Sequence, residues 1–215
     1  MEIFPISLKL QGQPCLIVGG GHIAYRKAVL LAKSGAVIYV IAPDIEAELL
    51  AIVHSTHGQY HPEKFNVQLS LSHYRLVIAA TNDKAVNQAV FEHCEDLNIL
   101  VNSVDDPPHC RFMVPAIIDR SPLVISIATN GASPVLSRQI RTQLEAAIPH
   151  GMGKLADFSG KWRKAVKEQI INPDERRIFW EDLYASPLKE QVFNDNLIEA
   201  DRLIEQALGK WQKPK

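Results

Sequence analysis

Four short, unbroken apolar runs divide the first half of the chain, at residues 15–18, 37–41, 76–80 and 99–101. Runs of this length, rich in Val and Ile, suit strands of a parallel sheet covered on both faces. Between them the period changes. Ala24, Ala28, Leu31 and Ala32 share one helical face, which Gly35 ends, and Val86, Val90, Cys94 and Leu97 make a second stripe. A further helix is expected over residues 45–54. Ahead of the first run, Ile6, Leu8 and Leu10 alternate within residues 3–10, and residues 11–14 read as a turn, which predicts a short leading strand. The order β-α-β-α-β-α-β describes an α/β, doubly wound parallel sheet of about 110 residues.

The pattern then changes. Residues 111–120 and 123–129 are strand-like, with Ser121-Pro122 as the turn of a hairpin. Ser133 and Pro134 open a helix as N-cap and first-turn residue, with Leu136, Ile140, Leu144 and Ile148 on one face. Residues 149–153 break the chain again. From Lys154 onward it reads as all helix. Trp162, Val166 and Ile170 form a stripe, and Asn172-Pro173-Asp174 a break and cap. Phe179, Trp180, Leu183 and Tyr184 cluster, followed by apolar Val192, Leu197, Ile198, Leu203, Ile204 and Leu208. Three domains are expected: residues 1–113, a small α+β segment over residues 114–150, and an all-helical domain over residues 151–215.

The richest local chemistry lies between the first strand and the first helix. Gly19, Gly21 and Ala24 fit G-x-G-x-x-A, the Rossmann-like phosphate turn. Its first glycine makes the turn, its second lets backbone N–H groups reach a pyrophosphate, and the third small residue packs helix on strand. Free N–H groups at the helix start complete an anion site. Gly19, Gly20, Gly21, His22 and Ile23 are therefore expected to hold a dinucleotide. At the end of the second strand stand Pro43 and Asp44. Asp44 has two compatible readings, as a ribose ligand or as the N-cap of the following helix. No Arg follows that strand to receive a 2′-phosphate, which favours NAD over NADP. Thr81 and Asn102 lie at the ends of the next two strands, on the edge where ligands bind, and Asn82 or Asp83 caps the next helix.

Net charge is −1, so nothing global points to nucleic acid or a membrane surface. No apolar run reaches membrane-span length, and no basic-then-apolar leader is visible. With 47% apolar and 22% charged residues, the composition is that of an ordinary globular protein. Cys15, Cys94 and Cys110 are odd in number and far apart, which fits a reducing cytoplasm and no disulfide framework. His54, His57, His61 and His73 match no metal-ligand spacing and are read as solvated loop residues, so no metal site is expected.

Several motifs occur together and in order: Gly19-Gly20-Gly21-x-x-Ala24-x-Arg26-Lys27, Ala79-Ala80-Thr81-Asn82-Asp83 with Asn87, Asn102-x-x-Asp105, Pro115-x-Ile117-Ile118-Asp119-Arg120-Ser121-Pro122, and Gly131-x-Ser133-Pro134-Val135-Leu136-x-Arg138. As a set they resemble the precorrin-2 dehydrogenase/sirohydrochlorin ferrochelatase family, the N-terminal module of siroheme synthases. The resemblance covers nearly the whole chain and is weakest after Lys154. It implies oxidation of precorrin-2 by NAD⁺ to sirohydrochlorin, then, in many members, insertion of Fe²⁺ as a second substrate. It also implies a homodimer paired through the hairpin and the Ser133 helix. Because the chain stops at Lys215, a stand-alone form is expected, with methylation supplied by another protein.

Asp105 matches the family's catalytic aspartate. It has two chemical tasks open to it: taking a proton as hydride leaves, or taking pyrrole protons as metal enters. The residue-level alternative is a turn-making Asp before Asp106-Pro107-Pro108, and Asp106 is the competing carboxylate. The tetrapyrrole substrate carries many carboxylates, so N–H donors and cations should line its seat. Asn130, Gly131 and Arg138 are the expected substrate-binding residues, with Arg111 and Arg120 as further charged candidates. His109 and Cys110 are read as structural, and the basic residues Lys161, Arg163, Lys164 and Lys167 as a solvated helix face. Two other functions stay open: a dehydrogenase without chelation, and a non-catalytic NAD-sensing module.

Overall fold

The computed structural model describes residues 2–211. Their backbone divides into two compact units between Val114 and Pro115.

The first unit is built on a five-stranded parallel sheet. Its strands are β1 (Pro14–Val18), β2 (Val37–Ile41), β3 (Tyr60–His61), β4 (Leu76–Ala79) and β5 (Leu100–Ser103), in the order β3-β2-β1-β4-β5. Helices α1 (His22–Lys33), α2 (Ala47–Ser55) and α3 (Lys84–Asp96) connect them. Chain order reverses between β1 and β4, and a crevice opens at such a reversal. Val18 pairs with Ile41 on one side and Ala79 on the other, and Ala79 pairs with Ser103. Four strands therefore end at one level, and the loops after them share one edge.

Alternation along each strand splits the apolar residues between two faces. Cys15, Ile17, Ile38, Val40, Leu76 and Ile78 pack on Ala24, Ala28 and Leu31 of α1 and Leu49 and Val53 of α2. Leu16, Val18, Val77 and Ala79 pack on Val90 and Cys94 of α3. Both faces are covered, which is why the runs show no polar positions.

Four local expectations are corrected. Residues 3–10 form no strand: Phe4, Ile6 and Leu8 are exposed, and only Leu10 reaches the core. Alternation alone does not make a strand when the segment pairs with no other. The second helix begins at Ala47 after Glu46, so Asp44 is not its cap. Leu97 lies at the exposed C-terminus of α3 and leaves the stripe to Asn87, Val90 and Cys94. Of the four histidines read as loop residues, His54 belongs to α2 and His61 to β3, a two-residue strand too short to show in the pattern.

The second unit opens with the expected antiparallel hairpin, β6 (Ala116–Arg120) and β7 (Leu123–Ile127), with Arg120 paired to Leu123. Ser133 then caps α4 (Pro134–Ala147), its hydroxyl accepting from Leu136 N at 3.2 Å. The helices α5 (Gly151–Gln169), α6 (Pro173–Ala185), α7 (Leu188–Phe193) and α8 (Leu197–Lys210) follow. Gly153 sits inside α5 where a Cβ would lie 2.3 Å from Arg120 O, so that helix packs directly on hairpin backbone. Asn172 caps α6 through Asp174 N. Phe158, Val166, Ile170, Phe179, Leu183, Leu188, Val192, Ile204 and Leu208 form a separate core. Ile198 and Leu197, expected among its apolar positions, point outward instead. On α4 only Ser137 is buried, and Val135, Leu136 and Leu144 are exposed.

Candidate functional site

The end of β1 is pressed between two loops. Gly19 adopts φ +120°, and its N–H donates to Ile41 O at 2.9 Å. A Cβ there would lie 2.4 Å from Ala80 O, and one on Gly20 would lie 1.9 Å from Asp44 O. These two glycines are required by the protein itself. Gly21 differs. Its φ of −93° suits any residue, and a Cβ on it would meet no protein atom within 4 Å. Gly21 is the N-cap of α1, which has no capping side chain and no acidic residue in its first turn. The helix thus presents unclaimed N–H donors and positive dipole to open space.

That space is a cleft of about 480 Å³. It is lined by Gly19, Gly20, Gly21, His22, Ile23, Pro43, Asp44 and Thr81, together with Ala42, Glu46, Ala80 and Asn82. Eight of the nine expected cofactor-binding residues therefore meet in one place. A dinucleotide fits them: the room at Gly21 and the bare helix start suit a pyrophosphate, and the Asp44 and Glu46 carboxylates suit ribose hydroxyls. His22 Nδ1 stands 3.8 Å from Glu46 Oε2 across the mouth.

Asn102, the ninth, does not line the cleft. It is buried, and its amide nitrogen donates to Phe112 O at 2.9 Å and lies 3.3 Å from Cys110 Sγ. It ties the chain after β5 back onto the strand. Asn87, buried on α3, does the same for the loop after β4. Its Oδ1 accepts from Thr81 Oγ1 at 2.7 Å and Thr81 N at 3.2 Å, and its Nδ2 donates to Thr81 O at 3.0 Å.

Asp105 lines a second cleft of about 610 Å³ with Ile23, Tyr25, Arg26, Lys27, Val29, Leu30 and Val104. Ile23 borders both clefts, so they adjoin across one side chain. Asp105 has φ +57°, and Asp106 N donates to Ser103 O at 3.3 Å across that turn. Asp is among the few residues that tolerate this left-handed conformation, so the turn-making reading of Asp105 holds alongside any chemical one. Asp106 is committed elsewhere: its Oδ2 lies 2.7 Å from His109 Nδ1. Lys27 is partly buried; lost hydration, then the neighbouring Arg26 charge, hold its ammonium below the ordinary pKa of 10.5, with Asp105 and Cys110 acting in the opposite direction. Burial pushes the Cys110 thiol up, and that thiol donates to Ser103 O at 3.1 Å. Among the described residues no three His, Cys, Asp or Glu side chains gather as a metal site, and no helix is long and apolar enough to cross a membrane.

The remaining charged candidates divide. Arg111 pairs with Glu95, its Nε 2.6 Å from Oε1, and stacks over Phe91. Arg120 is buried and donates to the carbonyls of Asp119, Glu145 and Ile148. Both are structural. Asn130 and Gly131 have φ of +51° and +78° in the turn before α4, and Arg138 is exposed on α4; all three belong to the second unit. Arg26 and Lys27 were not singled out from sequence as site residues. The available clue is spacing: Ile23, Arg26, Lys27 and Leu30 stand at i, i+3, i+4 and i+7, a face of α1 flanking its buried stripe of Ala24, Ala28 and Leu31.

Three family models match the chain. Residues 6–116 match one described as "Putative NAD(P)-binding", residues 120–147 one described as "Sirohaem biosynthesis protein central", and residues 151–208 one described as "Sirohaem synthase dimerisation region". The chain is 65% identical over 215 residues to a siroheme synthase of Acinetobacter baylyi, covering all of this chain and 47% of that protein. It is 43% identical over 208 residues to a siroheme synthase of Saccharophagus degradans, covering 97% of this chain and 45% of that one. It thus spans under half the length of these relatives. Among solved structures, SirC, a precorrin-2 dehydrogenase, aligns with a TM-score of 0.75 and 25% identity, covering 97% of this chain and 100% of that one.

Proposed function

The chain belongs to the siroheme synthase family, and on that premise we propose that it oxidises precorrin-2 to sirohydrochlorin with NAD⁺ as acceptor and then inserts Fe²⁺ to give siroheme. The observation that carries this reading is the adjoining pair of clefts, one built around a bare helix start and glycine turn, the other holding Asp105. The coenzyme, when bound, supplies the hydride acceptor.

The chain's own residues do the rest. Backbone N–H groups from Gly20 to Ile23 hold the pyrophosphate, supported by the α1 dipole, while the Gly19 N–H, spent on Ile41 O, fixes the turn. Asp44, beside Pro43, accepts hydrogen bonds from the adenosine ribose, and with Glu46 it repels a 2′-phosphate, which favours NAD over NADP. Thr81 borders the other half of the cleft, in a loop held by Asn87. Asn102 acts indirectly, by anchoring the segment that carries Asp105. Asp105 accepts the proton released as the macrocycle is oxidised, and later accepts pyrrole protons as Fe²⁺ enters.

The Asn130-Gly131 turn and Arg138 donate to substrate carboxylates. The exposed apolar residues of α4 support a homodimer, paired through residues 114–150 and the helical residues 151–215, while residues 1–113 bind NAD. Three unpaired cysteines support work in a reducing cytoplasm. Anaerobic mixing of the protein with precorrin-2 and NAD⁺ tests the reading: NADH and sirohydrochlorin should form together. Sirohydrochlorin supplied with Fe²⁺ and no NAD⁺ tests the second step, and unchanged sirohydrochlorin would confine the protein to dehydrogenation.

A further inference from the structure

We propose that Arg26 and Lys27 bind peripheral carboxylates of the tetrapyrrole beside Asp105, with Ile23, Leu30 and Val104 against its apolar ring. This rests on the reading above and adds two cations to the carboxylate contacts named there.

Four observations converge. The cleft, about 610 Å³, is of the size that holds an organic ligand and adjoins the dinucleotide cleft at Ile23. Its walls are mixed in the way a polyacid macrocycle requires. Ile23 and Leu30 are exposed apolar side chains in the cleft wall, one turn of α1 before and after Arg26 and Lys27. Two cations face one carboxylate there, and neither Arg26 nor Lys27 makes an ion pair within 4 Å among the described residues. Lys27 is held there against both lost hydration and its neighbour's charge. Asp105 offsets part of this cost, and an arriving carboxylate would offset more of it. Meanwhile the rival cations Arg111 and Arg120 are bound to Glu95 and to backbone carbonyls.

The test uses sirohydrochlorin itself as probe, its binding read from its absorbance and without NAD⁺. Lys27→Met and Arg26→Met should each weaken binding about tenfold or more, and Arg26→Lys should recover most of the loss. Dinucleotide affinity should be unchanged in all three. Sirohydrochlorin with methyl-esterified carboxylates should bind wild type and Lys27→Met equally weakly, an effect that mere loosening of the fold would not produce. Wild-type affinity in both Met variants overturns the assignment, as does an equal loss for acid and ester. If sirohydrochlorin binds as described but precorrin-2 and NAD⁺ do not react, the assignment stands and the dehydrogenase reading falls.

Discussion

His109 Nδ1 lies 2.7 Å from Asp106 Oδ2, and that pairing separates two adjacent carboxylates. Asp106 closes the 3₁₀ turn Pro107–His109, while Asp105 lines the cleft with Lys27. Asp105→Asn should therefore lower precorrin-2 turnover by about 10²–10⁴-fold with NAD affinity intact. Asn is the informative replacement, because it tolerates φ +57° whereas Ala would add strain. Asp106→Asn should cost about 1 kcal/mol of stability and leave turnover within a few-fold. Steady-state kinetics beside thermal melts check both, and the opposite ranking would transfer the role to Asp106.

Gly20 and Gly21 are adjacent but should fail differently. Gly20→Ala drives a Cβ into Asp44 O and should destabilise by about 1–3 kcal/mol or more. Gly21→Ser places a hydroxyl where an N-cap belongs, so stability should hold or rise by about a few tenths of a kcal/mol. The same side chain enters the cleft, and NAD affinity should fall at least about tenfold. Denaturation and NAD titration separate the two; retained affinity in Gly21→Ser would move the pyrophosphate elsewhere.

Asn87 reaches the coenzyme cleft only through Thr81. Asn87→Ala strips partners from Thr81 N, O and Oγ1 at once and should cost about 1–3 kcal/mol. Freed of that clamp, the loop should also bind NAD more weakly. A variant as stable as wild type would show that the clamp is dispensable.

Lys27 has a definite sign for stability. Its folded pKa is lowered, so the folded chain holds that proton less tightly than the unfolded chain. The cost is full below the folded value, where both states are protonated. It fades as pH rises through the folded value toward the unfolded one near 10.5. Lys27→Met should thus leave the melting temperature unchanged or raise it at pH 7, with the gap narrowing in alkaline buffer. A loss of more than about 1 kcal/mol at pH 7 would contradict this.

Much of the first unit was legible because its chemistry is local. An apolar run buried on both faces, a glycine turn and a helix start each write themselves into consecutive residues, as at 15–24. Ser133 was legible as a cap for the same reason, and the caps of α3 and α6 were narrowed to Asn82 or Asp83 and to residues 172–174, of which the structure uses Asp83 and Asn172. What escaped depends on partners far along the chain. β3 exists because β2 offers an edge, whereas residues 3–10 pair with no strand. Asn102 looked like a ligand residue because it ends a strand, and only the folded chain reveals Phe112 O and Cys110 as its partners. Arg111 and Arg120 looked free until Glu95 and Glu145 came to them. Arg26 and Lys27 were visible only as the tail of the glycine motif, and the cleft they line exists only in the folded chain.

The proposed passage of hydride from precorrin-2 to NAD⁺, with Asp105 taking the proton, is tested by anaerobic NADH absorbance on adding precorrin-2 to the NAD⁺-loaded protein, for wild type and Asp105→Asn side by side. Wild type should give one NADH per sirohydrochlorin formed, and the variant, still binding NAD⁺, should lose about a hundredfold or more in rate. No NADH from wild type, or equal rates from the two, would contradict it.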